Sequence, residues 1–405
     1  MKIAIEGCCH GELDKIYSTI EFIEKENNYK IDLLIICGDF QSVRNVKDLE
    51  SMAVPEKYRS MCSFWKYYAG ISKAPILTLF IGGNHEASTY LKELPYGGWV
   101  APNIYYMGYA NVINFNGIRI AGLSGIFKSN DFFKGHYEFP PFNRGSLHSI
   151  YHVRNLETFR LSQIKNPIDI MITHDWPSGI YHHGNIDELL RFKPYFASEI
   201  ESNTLGSPEN EKLLKLLKPK YWFSAHLHVK FSCIFKHEKI SESVESKTTK
   251  FLSLDKCLPR RKFLQVIDIG NETDPEKKCL SLDPEWLCIL KKTDHLLSVE
   301  SYNKAPIDKS ENLTITDKDL DEIKEDFQDC FEIPPNFKQT APPHRENSNE
   351  QVESKDIYLN EQTTLICEML NIRDPIRVIL EKKGKTSIIT ESTTQLYNDL
   401  LDEDD

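Results

Sequence analysis

Seven side chains with affinity for metal ions stand just after apolar runs of strand length. Gly82-Gly83-Asn84-His85-Glu86 follows Pro75-Ile76-Leu77-Thr78-Leu79-Phe80-Ile81, so a carboxamide and an imidazole share the end of one buried strand. Cys8-Cys9-His10, Gly38-Asp39, His174-Asp175 and His226-Leu227-His228 close four other such runs. A lone buried histidine is usually a hydrogen-bonded core residue, but five strand ends offering ligands are hard to explain as packing. Cys8, His10, Asp39, Asn84, His174, His226 and His228 are too many for one tetrahedral zinc and suit two cations bridged by a carboxylate. Asp39 is the only carboxylate of the seven and the natural bridge. Such a centre can draw charge from phosphate oxygens and deliver hydroxide near neutral pH.

These ligands need a scaffold that gathers strand ends at one edge, where ligands bind in open α/β sheets. Residues 2–6 read as a strand, and Leu13, Ile16, Tyr17, Ile20 and Ile23 repeat at helical spacing. Residues 31–37 read as a strand, 55–72 as a second helix opening at Pro55, and 76–81 as the strand before Asn84. Strand and helix alternate, which predicts right-handed crossovers and a mostly parallel sheet, an α/β fold. Short strands follow from Ile104, two of them joined through the hairpin pair Asn116-Gly117. Residues 124–154 show no period over most of their length, yet are dense in aromatics and cations. Phe127, Lys128, Tyr137, His148, Tyr151 and Arg154 are candidate RNA contacts, because bases stack on rings and phosphates pair with cations. On composition alone, a surface loop with its own aromatic cluster is the plainer reading.

The 405 residues allow one large domain with an appendage, or two domains. No run of about 18 apolar residues exists, the N-terminus lacks a signal peptide's apolar region, and ten scattered cysteines fit a reducing compartment. A location inside the cell is therefore expected. Residues 291–405 hold 14 basic and 26 acidic side chains, whereas residues 1–290, with 35 and 34, are close to neutral. An acidic tail would be repelled by a polyanion, so a solvated or protein-binding segment is expected there. Low apolar density predicts disorder over much of 300–360, with a helix near 366–380 broken at Asp374-Pro375.

The pattern Asp-x-His, Gly-Asp, Gly-Asn-His-Glu, His and His-x-His of the calcineurin-like metallophosphoesterases is matched from residue 8 to residue 228, except that Cys8 stands where aspartate is expected. A thiolate favours zinc or iron(II) over magnesium. With Gly7-Cys8-Cys9-His10-Gly11, Met107-Gly108-Tyr109-Ala110-Asn111, His174-Asp175-Trp176-Pro177 and Leu254-Asp255-Lys256-Cys257-Leu258-Pro259-Arg260-Arg261, the chain over residues 1–290 resembles the RNA lariat debranching enzymes. The resemblance implies a layered α/β metallophosphoesterase sandwich with a small C-terminal extension and an acidic, largely disordered tail. Its parts are a catalytic domain at 1–236 with a lariat recognition loop at 124–154, a flexible insert at 237–250, a C-terminal segment at 251–290 packed on the core, and the tail at 291–405.

The implied activity is hydrolysis of the 2′,5′-phosphodiester at the branch of excised intron lariat RNA; a generic phosphoesterase acting on phosphoproteins or nucleotides is the alternative. One cation is assigned to Cys8, His10, Asp39 and His228 and the other to Asp39, Asn84, His174 and His226, with Fe2+, Zn2+ and Mn2+ as candidates. His85 is assigned as the general acid, and Glu86 or Asp175 as the orienter of neighbouring imidazoles. The expected partners are the branched RNA and a protein for the tail. A monomer is expected, with no membrane association, resident in the nucleus and possibly also the cytoplasm.

Overall fold

The computed structural model describes residues 1–238, 246–270, 279–305, 307, 313–346 and 357–385. In chain order the strands are β1 (Lys2–Glu6), β2 (Leu33–Ile36), β3 (Thr78–Phe80), β4 (Gly98–Ala101), β5 (Ile104–Tyr106), β6 (Ala110–Phe115), β7 (Ile118–Leu123), β8 (Ile170–Thr173), β9 (Tyr221–Ser224), β10 (Phe231–Lys236), β11 (Thr248–Ser253), β12 (Leu264–Asp268) and β13 (Leu280–Leu282). They form two sheets, ordered β12-β1-β2-β3-β5-β4 and β10-β11-β9-β8-β7-β6-β13. The central pairs β1–β2, β2–β3, β7–β8 and β8–β9 are parallel, with antiparallel strands at the edges.

Side-chain alternation along each strand assigns the layers. Ile3 and Ile5 of β1, Leu33 and Ile35 of β2, Ile170 and Ile172 of β8 and Phe223 of β9 meet between the sheets. Ala4, Leu34, Ile36 and Phe80 point the other way, onto the helix Leu13–Asn27 through Leu13, Ile16, Tyr17 and Ile20. Met171 and Trp222 face the opposite outer layer, where the helices Asn155–Ser162, Pro208–Leu217 and Pro284–Thr293 pack. Two sheets face to face with helices outside make the layered α/β sandwich.

Two expectations change. The helix foreseen over 55–72 is only a 3-10 turn at Glu56–Tyr58 and a short helix at Phe64–Tyr68. Cys62 between them takes φ = 46°, which no helix accommodates. The disorder foreseen over much of 300–360, within the 291–405 tail, does not extend to its described residues. The helix Asp317–Asp326 places Ile323 in the core, with Phe327 just beyond it, while Asp319 and Asp326 pair with Lys292 and Lys291. The acidic face is thus neutralised locally while a narrow apolar stripe is buried. Helices Glu361–Leu370 and Pro375–Lys382 also fold onto the body, broken at Asp374-Pro375 as foreseen. Of the expected insert at 237–250, residues 248–250 are in β11, and 239–245 lie outside the described residues, as do 386–405 of the tail.

Candidate metal centre

Each candidate site residue stands at the carboxyl end of a central strand. Cys8 and His10 follow β1, Asp39 follows β2, Asn84 and His85 follow β3, His174 follows β8, and His226 and His228 follow β9. The two sheets therefore converge their strand ends on one place. The turns are tight enough that His10, Asp39, His226 and His228 all adopt left-handed backbone, at φ = 47°, 49°, 60° and 50°. Non-glycine residues rarely adopt that region, and its cost of order 1–3 kcal/mol per residue persists where the surroundings over-determine it. Glycine is required beside them: a Cβ on Gly83 would lie 2.3 Å from Asp39 Oδ1, and one on Gly38 2.3 Å from His174 Nδ1.

Asp39 is fully buried and its two carboxylate oxygens face different neighbours. Oδ1 accepts the His85 backbone N–H at 2.9 Å and lies 3.3 Å from His174 Nε2. Oδ2 has no hydrogen-bond donor and lies 3.5 Å from His10 Nε2. On the Oδ2 side, the ligand atoms of Cys8, His10, Asp39 and His228 all fall within 4.8 Å of one another. On the Oδ1 side, His174 Nε2 is 3.2 Å from Asn84 Oδ1, and the His226 ring lies 5.0 Å from the His174 ring. Two donor sets sharing one carboxylate, with an orphaned buried oxygen aimed into the first, fit a pair of divalent cations.

The electrostatics agree. Burial drives the imidazoles of His226 and His228 down to about 3, which keeps their ring lone pairs available. Burial also lowers His10. His174 is raised although burial opposes it, because Asp39 stands beside it; Asp39 in turn is held well below the usual carboxylate range. Burial, with Asp39 and Glu6 nearby, pushes the Cys8 thiol well up, so a cation must displace its proton. Cys8 Sγ also accepts the His226 backbone N–H at 3.2 Å.

The imidazoles are oriented by groups other than those expected. His174 Nδ1–H donates to the Cys37 carbonyl at 2.7 Å, which leaves Nε2 for a ligand role. The Gln41 amide lies 3.4 Å from His10 Nδ1. Glu86 instead accepts the backbone N–H groups of Phe40, Gln41 and Gly83, tying two ligand loops together. Asp175 accepts the Trp176 N–H. The Cys37 contact is through backbone and leaves no mark in sequence. Glu6, whose two buried oxygens have no hydrogen-bond partner, is visible in sequence as a carboxylate closing the apolar run Ile3-Ala4-Ile5.

The aromatic loop divides between core and surface. Phe127 is half-buried against Phe132. Lys128 and His148 are exposed, and Tyr137 and Tyr151 are half-buried. Tyr151 feels the charge of Asp39. Arg154 is a correction: it is buried, and its guanidinium pairs with Glu138 at 2.6 Å while donating to the Ser149, His152 and Gly135 carbonyls. It holds the loop from within and is not free to meet a phosphate.

Comparison with known proteins gives the same picture. Residues 1–230 match the calcineurin-like phosphoesterase family and residues 246–375 the C-terminal domain of lariat debranching enzymes, so the likeness runs well past residue 290. The chain is 53% identical to the lariat debranching enzyme of Danio rerio, covering 95% of this chain and 68% of that one. It is 51% identical to that of Homo sapiens, over 94% and 71%, and 50% identical to that of Drosophila pseudoobscura pseudoobscura, over 95% and 79%. The chain therefore belongs to the lariat debranching enzyme family, built on a calcineurin-like phosphoesterase domain.

Proposed function

We propose that the chain hydrolyses the 2′,5′-phosphodiester at the branch point of excised intron lariat RNA, giving linear intron RNA for turnover. The observation that carries this reading is the shared Asp39 carboxylate between two donor sets, with Tyr151 of the aromatic loop lining the same cavity as Gly83, which abuts Asp39. Cys8, His10, Asp39 and His228 would hold one cation, and Asp39, Asn84, His174 and His226 the other. Bound there, such cations would supply Lewis-acid charge to the phosphate and lower the pKa of a water molecule towards neutrality. The Cys8 thiolate favours Fe2+ or Zn2+, with Mn2+ as a functional substitute.

His85 serves as general acid and protonates the departing 2′-oxygen of the branch nucleotide. Its backbone is pinned to Asp39, its Nδ1 is buried without a partner, and its ring lies 5.5 Å from that of His10. Lys128, Tyr137, His148 and Tyr151 supply stacking faces and positive charge for the branched strand. Branch shape, and not base sequence, is what such a surface reads. We place the activity in the nucleus, where lariats arise, and also in the cytoplasm, as a monomer whose acidic tail meets a protein partner.

The test is incubation of a purified lariat with the metal-loaded protein and gel separation of the products. Conversion to a linear species carrying a free 2′-hydroxyl at the branch supports the reading. An intact lariat, alongside ready hydrolysis of a phosphopeptide or a nucleotide, would favour a generic phosphoesterase instead.

A further inference from the structure

The aromatic loop does not stand alone on the catalytic body. Phe139 leaves it to join a small apolar cluster whose other members, Ile357, Leu359, Ile376 and Leu380, all come from the C-terminal segment. This cluster is separate from the three large cores that hold the sheets and helices. Lys385 caps the Phe139 ring at 5.0 Å. Nearby, the loop backbone is bonded to another stretch of the same C-terminal half. The Gly135 and His136 N–H groups donate to the Glu300 and Ser298 carbonyls at 2.9 and 3.2 Å, and the Lys304 N–H donates to Phe133. Contact is close enough that a Cβ on Gly135 would meet the Ser298 carbonyl at 2.1 Å. Lys382 pairs with Glu300, which joins the two C-terminal stretches behind the loop.

That C-terminal frame is fixed to the body independently of the loop. The Gln362 side chain accepts the Trp99 N–H at 2.7 Å and donates to the Trp99 carbonyl at 2.9 Å, Thr363 donates to the Glu93 carbonyl, and Arg373 pairs with Asp294. The loop is therefore held at two points. Arg154 and Glu138 brace it from inside, and Phe139 plugs it into a frame more than 200 residues away in sequence. Tyr137, two residues before Phe139, is tied to the inner brace, since Ser149 Oγ bonds both Tyr137 and Glu138.

We propose that Phe139 is a positioning residue for substrate discrimination: seated in the 357–380 cluster, it sets where the loop presents Tyr137, His148 and Tyr151 to a branched RNA. The inference rests on the debranching reading and assigns the C-terminal segment a specificity role. No metal ligand comes from the loop or from that segment, so loosening Phe139 disturbs recognition and leaves the metal centre intact.

The experiment compares full-length, metal-loaded wild type with Phe139→Ala, Phe139→Leu, Ile376→Ala and the double variant Phe139→Ala/Ile376→Ala. Two substrates are used, a synthetic branched RNA and bis(4-nitrophenyl) phosphate, which needs only the metal centre. Phe139→Ala is expected to raise KM for branched RNA about ten- to hundredfold, as displacement of a positioning element does, with hydrolysis of the small diester unchanged. Phe139→Leu restores KM, Ile376→Ala reproduces the defect, and the double variant is no worse than either single one. Equal losses on both substrates, or an unaltered KM for branched RNA, would overturn the assignment. If Phe139→Ala does not fold, Ile376→Ala carries the same comparison from the other side. A wild type active on the diester and inert on branched RNA overturns the debranching reading itself.

Discussion

At the scale of single residues, the centre is defined by buried donor atoms that the protein leaves without hydrogen-bond partners, Asp39 Oδ2 and His85 Nδ1 among them. Cys8 holds its proton because burial and the Asp39 carboxylate oppose the thiolate. A cation held there would displace that proton. Metal uptake near neutral pH should therefore release protons, measured as a buffer-dependent heat in titration calorimetry, and Cys8→Ser should release fewer. Identical heats in buffers of different ionisation enthalpy would contradict this. Glu6 gives a second test. Burial, with Asp39 nearby, raises its carboxyl well above the ordinary 4.5, so the folded state keeps a proton that the unfolded chain loses. Its contribution is present below pH 4.5 and lost as pH rises. Metal-free Glu6→Gln should gain about 1–3 kcal/mol over wild type at pH 8 and converge with it at pH 4.5, read from urea melts. A gain independent of pH would refute the titration.

At the scale of elements, the site is a property of strand ends. Apolar runs of fixed length followed by Gly, His or Asp were legible in sequence because a buried parallel strand has few other ways to be written. Cys8, His10, Asp39, Asn84, His174, His226 and His228 are accordingly gathered where the pattern placed them. The stretch 55–72 was not legible: its aromatics recur at helical spacing, yet tertiary packing sends the backbone through left-handed conformations at Cys62 and Gly70. Arg154 differs for a related reason, since a cation among aromatics reads alike in sequence whether its partner is an RNA phosphate or the carboxylate of Glu138 inside the loop. The tight turns also predict a contrast between neighbouring glycines. Gly83→Ala sets a methyl against Asp39 Oδ1 and the Asp39 backbone nitrogen at 2.3 and 2.5 Å, while the nearest atom to a methyl on Gly82 is 3.5 Å away. Gly83→Ala should cost about 1–3 kcal/mol of stability and abolish tight metal binding. Gly82→Ala should do neither, as thermal melts and metal analysis would show; equal effects would mean that the turn relaxes freely.

At the scale of the whole molecule, two sheets gather the candidate ligands and the C-terminal half packs against the aromatic loop beside them. The sequence understated this half because its acidic residues dominate composition, while the residues that anchor it are few: Ile323, Phe327, Gln362, Leu370 and Ile376. An apolar stripe one residue wide is easily lost among Asp and Glu, and only folding shows that Lys291 and Lys292 answer those charges. No described helix is long and apolar enough to cross a membrane. The measurement that bears most directly on the account is single-turnover cleavage of a synthetic branched RNA and its linear 3′,5′ counterpart by wild type and His85→Ala, with metal content determined on the same samples. The account predicts cleavage of the branch alone, slowed about 10²- to 10⁴-fold in His85→Ala, with both cations retained. Equal cutting of the linear RNA, or a His85→Ala variant that is fully metal-loaded and as fast as wild type, would contradict it.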